Sequence, residues 1–90
     1  MPSSDLIKLN IKTSSKVYFD GKVKSVTSYN DTGIFDILAL HANFISIIKD
    51  KIILISADGI PQEFEIDKGV AYVTGNSIFI YLNPGKKLSK

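Results

Sequence analysis

Gln62-Glu63-Phe64-Glu65-Ile66-Asp67 alternates without a break. Successive side chains of a β-strand point to opposite faces. Gln62, Phe64 and Ile66 therefore share one face, and Glu63, Glu65 and Asp67 share the other. The pattern is that of a strand with one face on a core and one in water, the usual state of an antiparallel sheet.

Reading outward toward the C-terminus, Gly69 opens a run in which Val70, Tyr72 and Thr74 oppose Ala71 and Val73. Gly75-Asn76 has the chemistry of a two-residue turn. Ile78, Ile80 and Leu82 then alternate with Phe79 and Tyr81, and Pro84-Gly85 stops the strand. Toward the N-terminus, Asp58-Gly59 is a turn. Before it, Lys51 to Ala57 is a nearly continuous apolar run, read as a buried strand. Ile37 to Phe44 is ambiguous and short: Ile37, Leu38, Leu40, His41 and Phe44 are also spaced as in one or two helical turns. Asn30-Asp31-Thr32-Gly33 is a loop by composition, and Lys22 to Tyr29 a strand. Asp20-Gly21, between β-type runs, is a hairpin cue. In Leu6 to Lys12, Ile7, Leu9 and Ile11 oppose Lys8, Asn10 and Lys12.

The punctuation recurs about every 8–12 residues and predicts an all-β fold, an antiparallel sandwich or barrel of about eight or nine short strands. The 90 residues suit one domain. Its expected extent is residues 6–83, with 1–5 a loose N-terminus and 84–90 a loose basic tail.

The composition narrows the function. A net charge of +2, from 11 basic and 9 acidic residues, gives no reason to expect a nucleic acid as partner. The lysines Lys86, Lys87 and Lys90 account for part of the surplus. With no cysteine, the sequence has no disulfide, thiolate zinc site or cysteine nucleophile, which suits an intracellular protein. Met1-Pro2-Ser3-Ser4-Asp5 lacks the basic and apolar regions of a signal peptide. The apolar stretches are too short and interrupted for a membrane-spanning helix.

Nothing assembles into a reaction centre. His41 is the sole histidine, and a general base or metal ligand needs companions that its neighbours do not provide. It is either satisfied by backbone groups or turned toward a partner. Glu63, Glu65 and Asp67 are explained as a solvent face. The glycines fall singly and form no phosphate-binding motif. Tyr18, Tyr29, Tyr72 and Tyr81 are scattered over different strands, where cross-strand packing suffices. No catalytic residue, metal or cofactor is expected.

One longer register is informative. Gly33-Ile34-Phe35-Asp36-Ile37-Leu38-Ala39-Leu40-His41-Ala42-Asn43-Phe44 resembles the Gly-x-Phe-Gly-Ile-Leu-Pro-Gly-His-Ala-Pro-Leu segment of F-type ATP synthase epsilon subunits. Leu9-Asn10-Ile11 is similar to the opening strand of that family. Val17-Tyr18-Phe19-Asp20-Gly21-Lys22-Val23 is similar to its Val-Phe-x-Gly-x-Val hairpin. Phe64 to Val73 resembles its Phe-x-Val-x-Gly-Gly-Phe-x-x-Val, and Asn76 to Leu82 its closing Asn-x-Val-x-Val-Leu strand. The departures are Ala39-Leu40 for Pro-Gly, Asp36 for the glycine before Ile-Leu, Asn43 for the proline after His-Ala, and Lys68 for the first glycine of the Gly-Gly pair. The C-terminal helical hairpin usual in the family has no counterpart in this sequence.

The resemblance implies the family's flattened ten-stranded sandwich, so that the expected fold is a flattened antiparallel β-sandwich of about eight to ten short strands, and a non-catalytic role in the central stalk, or rotor. There the domain docks the gamma subunit onto the c-ring and couples proton transport to ATP synthesis. Without the hairpin, coupling and assembly are implied, but not the inhibition that resides there. By matching position, Asp31, Thr32, Gly33 and Ile34 fall in the loop facing the c-ring, and His41, Ala42, Asn43 and Phe44 in the segment near gamma and the ring. Core filling is the competing reading for Ile34 and Phe44. The implied location is peripheral, through partners, on the cytoplasmic face of a bacterial inner membrane. The alternative is a free-standing β-sandwich interaction module without a rotary complex, cytoplasmic in that case.

Overall fold

The computed structural model describes residues 6–37 and 43–83. The expected loose ends, 1–5 and 84–90, lie outside the described residues, as do Leu38, Ala39, Leu40, His41 and Ala42. Six strands follow one another: β1 (Ile7–Lys12), β2 (Val17–Asn30), β3 (Gly33–Ile37), β4 (Phe44–Ser56), β5 (Pro61–Thr74) and β6 (Ser77–Leu82). Among the described residues there is no helix. The all-β expectation holds.

The strand order is β1-β6-β5-β4-β2-β3, and β1 also pairs with β2. The sheet thus closes on itself through five strands, with β3 added to the second half of β2, as a sandwich-like barrel. Closure removes most free strand edges.

The strands are fewer and longer than the eight to ten expected. β2, β4 and β5 run for 14, 13 and 14 residues. Each changes partners along its length. β2 pairs with β1 through Val17–Val23 and with β3 through Val26–Asn30. A bulged region lies midway. The β2–β4 register passes from Ser28↔Ile52 to Tyr29↔Lys49, and the β4–β5 register shifts between Lys49 and Asp50. Asp50 takes φ 72° there. The buried Ser28 hydroxyl donates a 2.8 Å hydrogen bond to the Lys51 carbonyl, so the buried hydroxyl is satisfied at the bulge. Bulges bend strands without ending them.

The Asp20-Gly21 hairpin is corrected in the same way. Both residues lie inside β2, opposite Asn10 and Leu9. Gly21 therefore lies within a strand and turns nothing, and a Cβ there would meet the Phe19 ring at an ordinary contact distance of 3.5 Å. The β1–β2 connection is the polar Thr13–Lys16 loop, closed by Thr13 N–H to Lys16 O at 2.8 Å. The other turns fall where the sequence places them. Gly75 supplies φ 60° between Thr74 and Ser77, as a two-residue hairpin with glycine first requires.

The core draws on every strand: Ile7, Leu9 and Ile11; Val23 and Val26; Ile37; Ile48, Ile52 and Leu54; Phe64, Ala71 and Val73; Ile78, Ile80 and Leu82. Each fully buried large apolar side chain stabilises the fold by about 1.5–3 kcal/mol. The inward faces of β1 and of β5 up to Ile66 are those read from alternation, and the fold turns Ala71, Val73, Ile78, Ile80 and Leu82 inward where the sequence is apolar on both faces. The run from Lys51 is not buried throughout: Ile52 and Leu54 point inward, Ile53 and Ile55 are half-buried, and Ala57 lies beyond the strand. One pairing departs from the antiparallel expectation. β1 and β6 run parallel, Lys8–Lys12 against Ser77–Tyr81, because the two ends of the chain meet to close the barrel.

Candidate protein-docking face

Asn30 closes the turn between β2 and β3. Its Oδ1 accepts hydrogen bonds from the Thr32 amide at 2.9 Å and the Thr32 hydroxyl at 2.7 Å. A side-chain carbonyl that holds an amide two residues on fixes the turn locally. Gly33 follows with φ 124°, a conformation that suits glycine. The turn therefore presents Asp31 and Thr32 to solvent in a set shape. Lys49 Nζ reaches Asp31 Oδ1 at 3.4 Å; the carboxylate is exposed, so the pair adds little stability. Ile34, the first large side chain beyond the turn, stands opposite Tyr29 and is 61% exposed.

Asn43 and Phe44 lead into β4. Phe44 stands opposite Val73 and is 38% exposed. The two residues line a shallow groove with Ile45, Tyr72, Val73 and Thr74. Neither Ile34 nor Phe44 belongs to the core cluster, which answers the competing reading of both. His41 and Ala42 lie outside the described residues.

Register connects these places. Directly paired residues share a face, so the ladders can be followed across the barrel. One row runs Ile45, Tyr72, Phe79; the next runs Ile47, Val70, Tyr81. A third runs Ile34, Tyr29, Lys49, Lys68. The β4 positions 45, 47 and 49 alternate onto one side, so the three rows lie on one outer face. Ile45 and Ile47 are 61% and 66% exposed, and Val70, Tyr72 and Tyr81 are exposed beside them. The result is a contiguous apolar field over β4, β5 and β6, with Ile34 and the Asp31–Gly33 turn at one corner and Lys49 and Lys68 between.

The expected sites include Ile34 and Phe44 but miss the centre of this field. Its signal is in the sequence. β5 beyond Gly69 and β6 are apolar on both faces, whereas one wet face is normal for an antiparallel sheet. Only one of the two faces fits inside.

The acidic strand face is a solvent face, as read. Glu63, Glu65 and Asp67 are exposed, and Lys51 Nζ contacts Glu63 Oε2 at 3.1 Å. The hydrogen bond from Lys51 to Glu63, and then the carboxylate's charge, raise the lysine's pKa above its ordinary 10.5. Among the described residues no group of three or more His, Cys, Asp or Glu could hold a metal ion. No helix among them is long and apolar enough to cross a membrane.

The family described as "ATP synthase, Delta/Epsilon chain, beta-sandwich domain" matches residues 6–83. An ATP synthase epsilon chain of Clostridium botulinum (strain Eklund 17B / Type B) is 34% identical over 79 residues, which are 87% of this chain and 59% of that relative. An ATP synthase epsilon chain of Chlorobium limicola is 35% identical over 82 residues, 89% of this chain and 93% of the relative. The chain therefore spans about three fifths of the first relative and nearly all of the second. Among solved structures, a chain of the Euglena gracilis mitochondrial ATP synthase, OSCP/F1/c-ring, superposes with a TM-score of 0.77 at 17% identity, covering 87% of this chain and 51% of that one. A chain of the Tetrahymena thermophila mitochondrial ATP synthase central stalk/c-ring gives 0.70 at 15% identity, covering 93% and 66%. At such identities the likeness is one of fold.

Proposed function

This chain belongs to the ATP synthase delta/epsilon β-sandwich family, and from that premise we propose that it is a central-stalk component of an F-type ATP synthase, docking the gamma subunit onto the c-ring. It couples proton transport to ATP synthesis as a mechanical joint and catalyses nothing itself. A joint that carries torque needs stiffness and surface complementarity, and a closed sheet with one well-packed core supplies the stiffness.

The observation that carries the reading is the outer face of Ile45, Ile47, Val70, Tyr72 and Tyr81. Contiguous apolar fields of this kind mark interaction surfaces. In this reading gamma covers the field over β4, β5 and β6. Asp31, Thr32, Gly33 and Ile34 meet the c-ring at the corner where the turn projects, and His41, Ala42, Asn43 and Phe44 lie between the two partners. The protein is then peripheral to the membrane, held there by its partners on the cytoplasmic face of a bacterial inner membrane.

Calorimetric titration of the purified chain with its cognate gamma subunit tests this. Saturable binding with a negative heat-capacity change, the mark of apolar burial, is expected. Absence of binding overturns the stalk reading and leaves the free-standing interaction module.

A further inference from the structure

The net charge of +2 conceals a strongly polarised surface. Lys8, Lys12, Lys16, Lys22 and Lys24 all belong to β1, β2 and the loop joining them. Lys8 stands directly opposite Lys22 in the antiparallel register. Like charges so placed repel and destabilise a sheet. The ion pairs among the described residues are Lys49–Asp31 and Lys51–Glu63, so none of these five lysines has a carboxylate partner there. Two rest on aromatic rings instead: Lys12 Nζ lies 5.4 Å from the Tyr81 ring centre, and Lys16 Nζ 5.0 Å from that of Tyr18.

This basic strip borders the apolar field. β1 lies against β6 with Asn10 beside Phe79 and Lys12 beside Tyr81. The rows that begin at Ile45 and Ile47 therefore continue onto the strand that carries Lys8 and Lys12. A protein interface commonly has an apolar centre with a polar rim, and here one side of the rim is uniformly cationic apart from Asp20.

We infer that the protein surface that covers the apolar face is acidic along the side that meets β1 and β2, so that Lys8, Lys12 and Lys22 steer it into register. The inference rests on the docking reading above and adds the chemistry of the partner. Asp20 decides between an acidic protein and a uniform polyanion. It stands opposite Asn10, between the Lys8–Lys22 pair and Lys12. A phosphate backbone or an anionic bilayer would meet that carboxylate with its own charge, whereas a folded partner can place a donor there.

Two measurements test it. In stopped-flow association with purified gamma subunit, the charge-reversal pair Lys8→Glu/Lys22→Glu is expected to slow association about tenfold or more, while dissociation changes little. The wild-type on-rate should fall steeply as ionic strength shortens the screening length. An on-rate that ignores both salt and charge reversal overturns the inference. Should gamma fail to bind at all, the docking reading falls by itself, and the basic strip is read directly. A Glu-rich peptide is titrated into the isotope-labelled chain and followed by amide shifts. Shifts confined to β1 and β2, abolished by the reversal pair, support an acidic protein partner of another identity; their absence overturns it. Tighter binding of duplex DNA or phosphatidylglycerol vesicles than of the peptide at the same residues also overturns it.

Discussion

Ile47 separates docking from folding more cleanly than any other position. It is 66% exposed on the β4 side of the apolar field, opposite Val70 and two strands from Tyr81. Complete burial of an isoleucine is worth about 1.5–3 kcal/mol. Roughly two thirds of its surface remains to be covered, so a partner that seals the field gains about 1–2 kcal/mol from this side chain. Ile47→Ala should therefore weaken gamma binding about 5- to 30-fold. Ile47→Asp should weaken it by well over about 100-fold, because a carboxylate must also be stripped of water without a partner. Neither change touches the core, so the thermal midpoint should move by about 2–4 °C for Ile47→Ala and by less than about 10 °C for Ile47→Asp, whose strand propensity is poorer. Calorimetric affinities read beside melting curves check both halves. Unchanged affinity for gamma in Ile47→Asp, with an unchanged melt, would refute the assignment of this face. A collapsed melt would refute the claim that the face is dispensable for folding.

Three further outcomes probe the frame behind that face. Gly69→Ala should cost about 1–3 kcal/mol and lower the thermal midpoint, because the new Cβ would lie 2.8 Å from Leu82 Cδ2 and 2.9 Å from the Tyr81 carbonyl, the latter immobile backbone; an unaltered melt would sink this reading of the β5–β6 contact. Asn10→Val should raise stability in a denaturant titration by about 1 kcal/mol, since Asn10 Oδ1 is buried without a hydrogen-bond partner and a β-branched residue suits the strand; a loss of stability would show that the amide is satisfied. The Lys51–Glu63 pair raises the lysine's pKa above 10.5, so its contribution is complete below the unfolded-state value and disappears as pH rises through the folded one. The stability difference between wild type and Lys51→Met should accordingly close in strongly alkaline solution, and a difference that widens there would contradict the pairing.

Which parts of this architecture could be read from the chain depends on how local their cause is. Alternation is local, and it identified the inward residues Ile7, Leu9 and Ile11 of β1 and Phe64 of β5, each under 10% exposed in the fold. Turns made by glycine at positive φ were equally plain at Gly59 and Gly75. Asp20-Gly21 misled because its turn chemistry is local, whereas its place inside β2 is set by pairing with Asn10 and Leu9 of β1. The long strands were cut into short ones for a related reason: Asp50 and Asp67 interrupt the apolar pattern, yet they fall at the shifted register between β4 and β5, where a bulge absorbs them. The parallel β1–β6 pair joins residues about seventy apart, and no local pattern announces it.

The functional face shows the same division more sharply. β5 beyond Gly69 and β6 are apolar on both faces, but neither strand alone tells which face lies outside. Val70 and Tyr72, or Phe79 and Tyr81, read as one more set of packing residues until the register lays them beside Ile45 and Ile47 on the outside. Lys8 and Lys22 read as two solvated charges in a nearly neutral chain until pairing sets them face to face. Both features cost something in the isolated chain: the first keeps large apolar surface in water, and the second opposes like charges. A surface that carries two adjoining costs of different kinds, one relieved by apolar burial and the other by negative charge, describes what relieves them together. That is a partner with an apolar seat and an acidic border, and the order of events follows from the ranges of the two forces. Charge acts across about 8–10 Å at ordinary salt and orients the approach. Apolar contact acts only at closure and holds the complex. Mutations on β1 and β2 should therefore register in the rate of association, and mutations at Ile45, Ile47 or Tyr72 in the rate of dissociation.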